Sequence, residues 1–129
     1  MRYLLDSHTW LWWLAADARL GQAAARVLQD QSSDLFLSAA TGWELTIKVS
    51  LGKLALHYAL EEVLQGQRQR HRVHWLEIKP EHCRTLSPLP FHHRDPFDRM
   101  LVAQALCEGM TLLSGDVLLD AYSIQRLWA

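Results

Sequence analysis

The sequence predicts an α/β fold, a central and mostly parallel sheet of four to five strands covered by helices on both faces. Three observations predict it. Short apolar strand-like runs alternate with helix-period segments along the whole chain. Half of the 129 residues are apolar, enough for one domain, residues 1–129, to bury a core. Four acids, Asp6, Glu44, Asp98 and Asp116, fall at strand ends or in the first turn of helices. That is where an open α/β sheet places its ligand site, beyond the carboxyl ends of the strands.

The elements follow in order. Residues 2–6 read as a buried strand ending in Asp6. Ser7 to Ala15 reads as a helix whose apolar face is too wide for an ordinary surface helix. Asp17 to Gln31 carries Leu20, Ala24, Val27 and Leu28 at helical spacing. Residues 35–39 form a second strand, and Thr41 to Leu51 a helix ended by Gly52. Tyr58 to about Arg70 is a fourth helix, and residues 75–78 a weakly alternating third strand. Pro80 to Leu86 is a short helix, broken by Ser87-Pro88-Leu89-Pro90. Asp95-Pro96 opens a long helix to about Glu108, closed by Gly109. A fourth strand covers 111–114, a short helix 117–123, and Leu127-Trp128 adds a short edge strand.

Composition removes several classes of function. With 13 basic and 14 acidic residues and a formal net charge of −1, the chain is not a binder of nucleic acid driven by overall charge. Its two cysteines, Cys83 and Cys107, lack any zinc-type spacing and read as reduced thiols of a cytoplasmic protein. No secretory leader is expected, and the run Trp10-Leu11-Trp12-Trp13-Leu14 is too short to span a membrane. Three of the six tryptophans lie in that run, more than one helix face can bury, so part of it is expected to meet another chain.

Each acid taken alone has a structural explanation. Thr41-Gly42-Trp43-Glu44 fits a capping box, and Glu44 could also pair with Lys48 one turn on. Asp95 fits an N-cap before Pro96, with Asp98 in the first turn at the favourable end of the helix dipole. Asp116 and Asp6 could cap the helices that follow them. Together the acids change the odds. A helix dipole is worth only about 0.3–1 kcal/mol to a nearby acid. Two carboxylates about 4 Å apart repel by about 4 kcal/mol at an effective dielectric near 20. Convergence of all four therefore demands a hard cation such as Mg²⁺ or Mn²⁺. Ser114, two residues before Asp116, reads either as a hydroxyl supporting such a site or as a strand serine bonded to backbone. His92 and His93 read as loop residues or phosphate contacts; zinc is disfavoured because adjacent histidines rarely point the same way.

Four segments carry a family resemblance. They are Leu4-Leu5-Asp6-Ser7-His8-Thr9, Ser38 to Lys48 around Glu44, Leu89 to Ala105 with Asp95-Pro96-Phe97-Asp98-Arg99, and Leu112-Leu113-Ser114-Gly115-Asp116. With its acids in that order the chain resembles the PIN-domain family, and most closely its VapC-type ribonuclease toxins. The resemblance implies a PIN fold and endoribonuclease activity dependent on Mg²⁺ or Mn²⁺. It also implies a small cognate antitoxin and a homodimer. By the motif match Asp6, Glu44, Asp98 and Asp116 are the catalytic and metal-site acids, with Asp95 and Ser114 as additional candidates. The fourth segment lacks the threonine common near its aspartate, although Ser114 keeps a hydroxyl.

On this reading water activated by the ion attacks an RNA phosphodiester, since no lysine or histidine stands out as a general base. Basic groups must then hold the RNA. The candidates are Arg94 and Arg99 beside the acids, and Arg68, Arg70 and Arg72 in the basic stretch 67–74. Arg99 could instead pair with Glu44 or Asp95. Two rivals remain at this stage. One is a PIN-like module that binds RNA or protein without cutting. The other is a phosphotransferase with an aspartyl nucleophile, weakened because His8 stands where its second carboxylate would be.

Overall fold

The structure is a computed structural model that describes residues 1–56, 60–62, 65 and 73–129. The elements are β1 (Arg2–Leu5), α1 (Ser7–Leu14), α2 (Gln22–Gln29), β2 (Asp34–Ser38), α3 (Ala39–Ser50), β3 (Val73–Leu76), α4 (Pro80–Leu86), α5 (Pro96–Glu108), β4 (Thr111–Leu113), a 3₁₀ turn (Val117–Ala121) and β5 (Arg126–Leu127). The five strands form one sheet in the order β3-β2-β1-β4-β5. Every pairing is parallel, with Leu5 opposite Leu37 on one side and Leu113 on the other.

Side-chain alternation along the strands divides the core into two layers. Leu4 and Leu112 face Leu101, Val102 and Ala105 of α5, with Leu119 and Tyr122 beyond. Leu5 and Leu113 face Trp10 of α1, Leu28 of α2 and Leu45 of α3. The central strands are buried on both faces, which explains why they read as unbroken apolar runs. The sheet runs β1-β2-β3 one way and then restarts with β4 on the other side of β1. Its topological switch point therefore lies between the carboxyl ends of β1 and β4, immediately before Asp6 and Ser114.

Several expected boundaries move, each for a local reason. The second helix begins at Gln22 rather than Asp17. The Asp17 carboxylate accepts the Arg19 amide at 2.9 Å and folds 17–19 into a turn, and Gly21 becomes the N-cap. The third helix begins at Ala39, because Ser38 caps it by accepting the Ala40 amide at 3.0 Å. The capping box expected at Thr41–Glu44 is thus absent: Glu44 lies in the second turn and is free for another role. The strand expected at 75–78 is Val73–Leu76, and the last helix is a 3₁₀ turn. The fourth helix expected from Tyr58 to about Arg70 lies outside the described residues, apart from 60–62 and 65, which are helical.

The tryptophan run distributes itself over three directions. Trp10 is fully buried in the core, Trp13 packs half-buried against the same layer, and Trp12 stacks on His8 with ring centroids 5.4 Å apart. Trp12 also meets Trp128 and lies under the Arg19 guanidinium. No helix of the described residues is long and apolar enough to cross a membrane.

Candidate metal centre at the switch point

Asp6 is placed by the turn from β1 into α1. Its backbone is extended, and Oδ1 accepts the Thr9 amide at 2.8 Å as the N-cap of α1. The Thr9 hydroxyl lies 2.6 Å from the same oxygen and 2.7 Å from the Leu113 carbonyl, sharing its proton between them. One threonine thus locks the end of β1 against the end of β4. Both bonds fall on Oδ1, so Oδ2 of this buried acid has no partner among the described residues.

Glu44 enters from α3. Its Oε2 accepts Lys48 Nζ at 2.9 Å, one helical turn on, as the sequence suggested. Its Oε1 is buried without a hydrogen-bond partner. A buried carboxylate oxygen left bare is costly, so this atom marks a place where something positive belongs.

Asp98 comes from the first turn of α5 and Asp95 from its N-cap. Asp95 Oδ1 accepts the Phe97 amide at 2.8 Å and the Asp98 amide at 3.3 Å. Burial pushes the Asp98 carboxyl up to about 7, and the charges of Asp95, Asp6 and Glu44 push the same way against the opposing pull of His93. This is the convergence that sequence could only suppose. Four acids, one from the N-terminus of α1, two from that of α5 and one from the interior of α3, act on one point.

Asp116 completes the group after β4. It caps the 3₁₀ turn by accepting the Leu118 amide at 3.0 Å, and its own amide donates to the buried Ser114 hydroxyl at 3.1 Å. Ser114 therefore shapes the turn that carries Asp116. Gly115 between them has no room for a side chain, since a Cβ there would lie 2.9 Å from the Trp128 indole.

His93 is the residue that sequence reasoning undervalued. Its Nδ1 accepts the Asp95 amide at 3.1 Å, so the ring carries its proton on Nε2. Nε2 donates to Asp116 Oδ2 at 2.8 Å and lies 3.4 Å from Asp98 Oδ2. A nitrogen that bears a proton is not a metal ligand, so His93 orients the acids instead of joining them. Its loop is held by Arg99, which donates to the carbonyls of Pro90 at 2.8 Å and Leu89 at 3.2 Å and stacks on Phe91. Tyr122 adds a bond to Pro90 and accepts the His93 amide at 3.0 Å.

Arg99 is buried in these bonds, so its expected role in gripping RNA, and its expected pairing with Glu44 or Asp95, are both corrected. Arg94 is exposed and directly precedes Asp95 in the chain. Arg68, Arg70 and Arg72 lie outside the described residues.

The donor set suits a hard divalent cation. Every free donor in the group is a carboxylate oxygen, no thiol is near, and the bare Glu44 Oε1 calls for a positive partner. A second cluster, His82, Cys107 and Glu108, does not fit a metal. His82 Nδ1 accepts the Lys79 amide at 3.0 Å, so its Nε2 proton points at Glu108, which also meets Arg2 and Lys79.

A buried carboxylate cluster at the switch point of a five-stranded parallel sheet defines a class of metal-dependent α/β domain. The PIN-domain family model matches residues 3–124, and the chain belongs to that family. It is 32% identical over 114 residues to ribonuclease VapC22 of Mycobacterium tuberculosis (strain ATCC 25618 / H37Rv), covering 88% of this chain and 85% of that protein. Its fold is similar to that of a chain in the structure of VapBC2 from Rickettsia felis bound to a DNA fragment from their promoter, with a TM-score of 0.77 at 14% identity and full coverage of both chains. VapBC-1 from nontypeable Haemophilus influenzae matches with a TM-score of 0.70 at 19% identity, over 98% of this chain and 97% of that one.

Proposed function

We propose that this chain is an endoribonuclease dependent on Mg²⁺ or Mn²⁺, the toxin of a type II toxin–antitoxin pair, acting in the cytoplasm. The observation that carries the reading is the acid cluster at the switch point, in which the buried Glu44 Oε1 has no hydrogen-bond partner and burial and acidic neighbours raise the Asp98 carboxyl. The family supports the same chemistry, and the curated relative is named a ribonuclease. Neighbouring structures are complexes of VapB with VapC, which supports a small antitoxin as partner. A homodimer is part of the same proposal, and the half-buried Trp12 and Trp13 give α1 apolar surface for one of these contacts.

Asp6, Asp98 and Asp116 would hold the ion directly, with Glu44 completing the site. When bound, the ion supplies charge stabilisation for the phosphodiester and acidifies a water molecule beside it. The chain's own groups do the positioning. Thr9 fixes Asp6 by one oxygen, Lys48 fixes Glu44 by one oxygen, and His93 turns Asp116 through Nε2. The first two bonds leave one carboxylate oxygen of Asp6 and one of Glu44 to the site, while Asp116 accepts on both oxygens, from Leu118 and His93. Asp95 acts as the cap that presents Asp98, and Arg94 is the exposed cation nearest in sequence for a substrate phosphate.

The protein freed of its partner is expected to cut RNA with Mg²⁺ or Mn²⁺ and to stop in EDTA. Asp6→Asn is expected to fold, because asparagine also caps helices, and to be inactive. Undiminished cleavage in chelator would overturn the reading.

A further inference from the structure

The acids cannot hold RNA by themselves, and the cations nearest to them are largely committed. Lys48 is bonded to Glu44, and Arg99 is buried against backbone carbonyls. Among the described residues only Arg94 is left exposed close to the acids in sequence. A nuclease with so little local phosphate grip needs another source of affinity at the cut.

Two aromatic residues supply it. Trp43 precedes Glu44 on α3, and Phe97 precedes Asp98 on α5. One step along a helix turns a side chain by about 100°. Each ring therefore stands beside its acid rather than over it, and the same offset on both helices brings the rings together. Their centroids are 5.2 Å apart at an interplanar angle of 78°. Trp43 is 62% exposed, while Thr41, Gly42, Glu44 and Leu45 around it are buried. An edge-to-face pair covers at most one face of the indole. The ring is thus propped by Phe97 at the rim of the acid cluster with an open face to solvent.

We infer that Trp43, braced by Phe97, is a platform on which a nucleobase of single-stranded RNA stacks while its phosphate lies at the acids. Stacking tolerates any base, because every base has a π-face, and it works without local positive charge. This inference rests on the ribonuclease reading, and its test separates the two.

The probe is an uncleavable 2′-O-methyl octa-adenylate, compared with an abasic octamer of the same backbone, both followed by fluorescence anisotropy. Trp43→Ala is expected to weaken the octa-adenylate by about 5- to 100-fold, the scale of one stacked base. It should leave binding of the abasic octamer unchanged, and Trp43→Phe should restore most of the loss. With cleavable RNA, Trp43→Ala should raise KM and spare kcat. Equal binding of octa-adenylate by wild type and Trp43→Ala overturns the platform. So does an equal loss on the abasic strand, which would mark a general disturbance of the site. If Trp43→Ala spares RNA and weakens only the antitoxin, the ring is a protein contact and the inference is wrong. If base-dependent binding through Trp43 is found but no RNA is ever cut, the platform stands and the nuclease reading falls.

Discussion

The two ends of α5 carry a histidine–carboxylate pair each, and the pairs are built alike. At the carboxyl end, His82 accepts the Lys79 amide on Nδ1 and donates from Nε2 to Glu108 at 2.9 Å. At the amino end, His93 accepts the Asp95 amide on Nδ1 and donates from Nε2 to Asp116 at 2.8 Å, with Asp98 at 3.4 Å. The carboxyls nevertheless shift in opposite directions. The His82 hydrogen bond and Lys79 hold Glu108 below the ordinary carboxylate range. Burial and three neighbouring acids push Asp98 to about 7. The helix dipole favours the reverse in both cases, since it stabilises an acid at the amino end and opposes one at the carboxyl end. At about 0.3–1 kcal/mol it is overruled by close partners. The comparison teaches that a histidine beside a carboxylate does not define a site. The cations do: Glu108 already has Arg2 and Lys79, whereas among the described residues the Asp98 group has a lysine or arginine ion pair only at Glu44, with Lys48.

The largest effect should come from the amino end. Asp98→Asn is expected to lower RNA cleavage by about 10²–10³-fold, the scale of losing one preorganised electrostatic group. The same substitution should leave the metal-free fold intact. A raised carboxyl pKa means that the folded chain binds this proton more tightly than the unfolded chain. Its stabilising contribution is therefore complete below the unfolded value of 3.8 and is lost as pH rises to about 7. In chelator the melting temperature of the wild type should fall across that window, and Asp98→Asn should flatten the fall. A profile identical in the two proteins would show that the acids are not coupled.

The carboxyl end should respond in stability alone. His82 is fully buried, so His82→Ala opens a cavity and strips Glu108 and the Lys79 amide of a partner. A loss of about 2–4 kcal/mol is expected by denaturant titration, with cleavage per folded molecule unchanged. The pH response is also inverted: because the Glu108 carboxyl is held down, its contribution is present above the unfolded value of 4.5 and is lost as pH falls below it. A drop in kcat for the folded fraction of His82→Ala would mean that the two ends communicate.

The smallest effect separates Asp95 from Asp98. Asp95→Ala removes the cap and should cost about 0.5–2 kcal/mol while keeping measurable cleavage. If it folds normally and loses all cleavage, Asp95 belongs among the ligands.

Much of the fold was legible because apolar strand runs and helix-period segments alternate along the chain, although the order of the strands within the sheet was not. Apolar runs, Pro96 at the start of α5 and Gly109 at its end placed the elements to within a few residues. The four acids were legible as candidates from their positions. The roles of Arg99 and His93 were not. Arg99 lies between Asp98 and a helix interior, and only the tertiary packing of the 89–93 loop shows its guanidinium turned to carbonyls. His93 was hidden because its proton position depends on one backbone amide, that of Asp95. Thr9 had a readable signal, a hydroxyl three residues after a helix-capping acid. Its second contact, to Leu113, spans 104 positions, and no local pattern reports it.

The wedge made by Trp128 has a consequence for how the two sides of the acid group are supported. Its indole fills the space beside Gly115, and its backbone oxygen accepts the Ala24 amide at 3.1 Å, against a glycine, Gly21, that likewise has no room for a Cβ. The turn that aims Asp116 therefore leans on a residue that is itself tied to α2, whereas Asp6 is clamped from within its own helix by Thr9. A disturbance carried along α2 reaches one side of the group and leaves the other anchored.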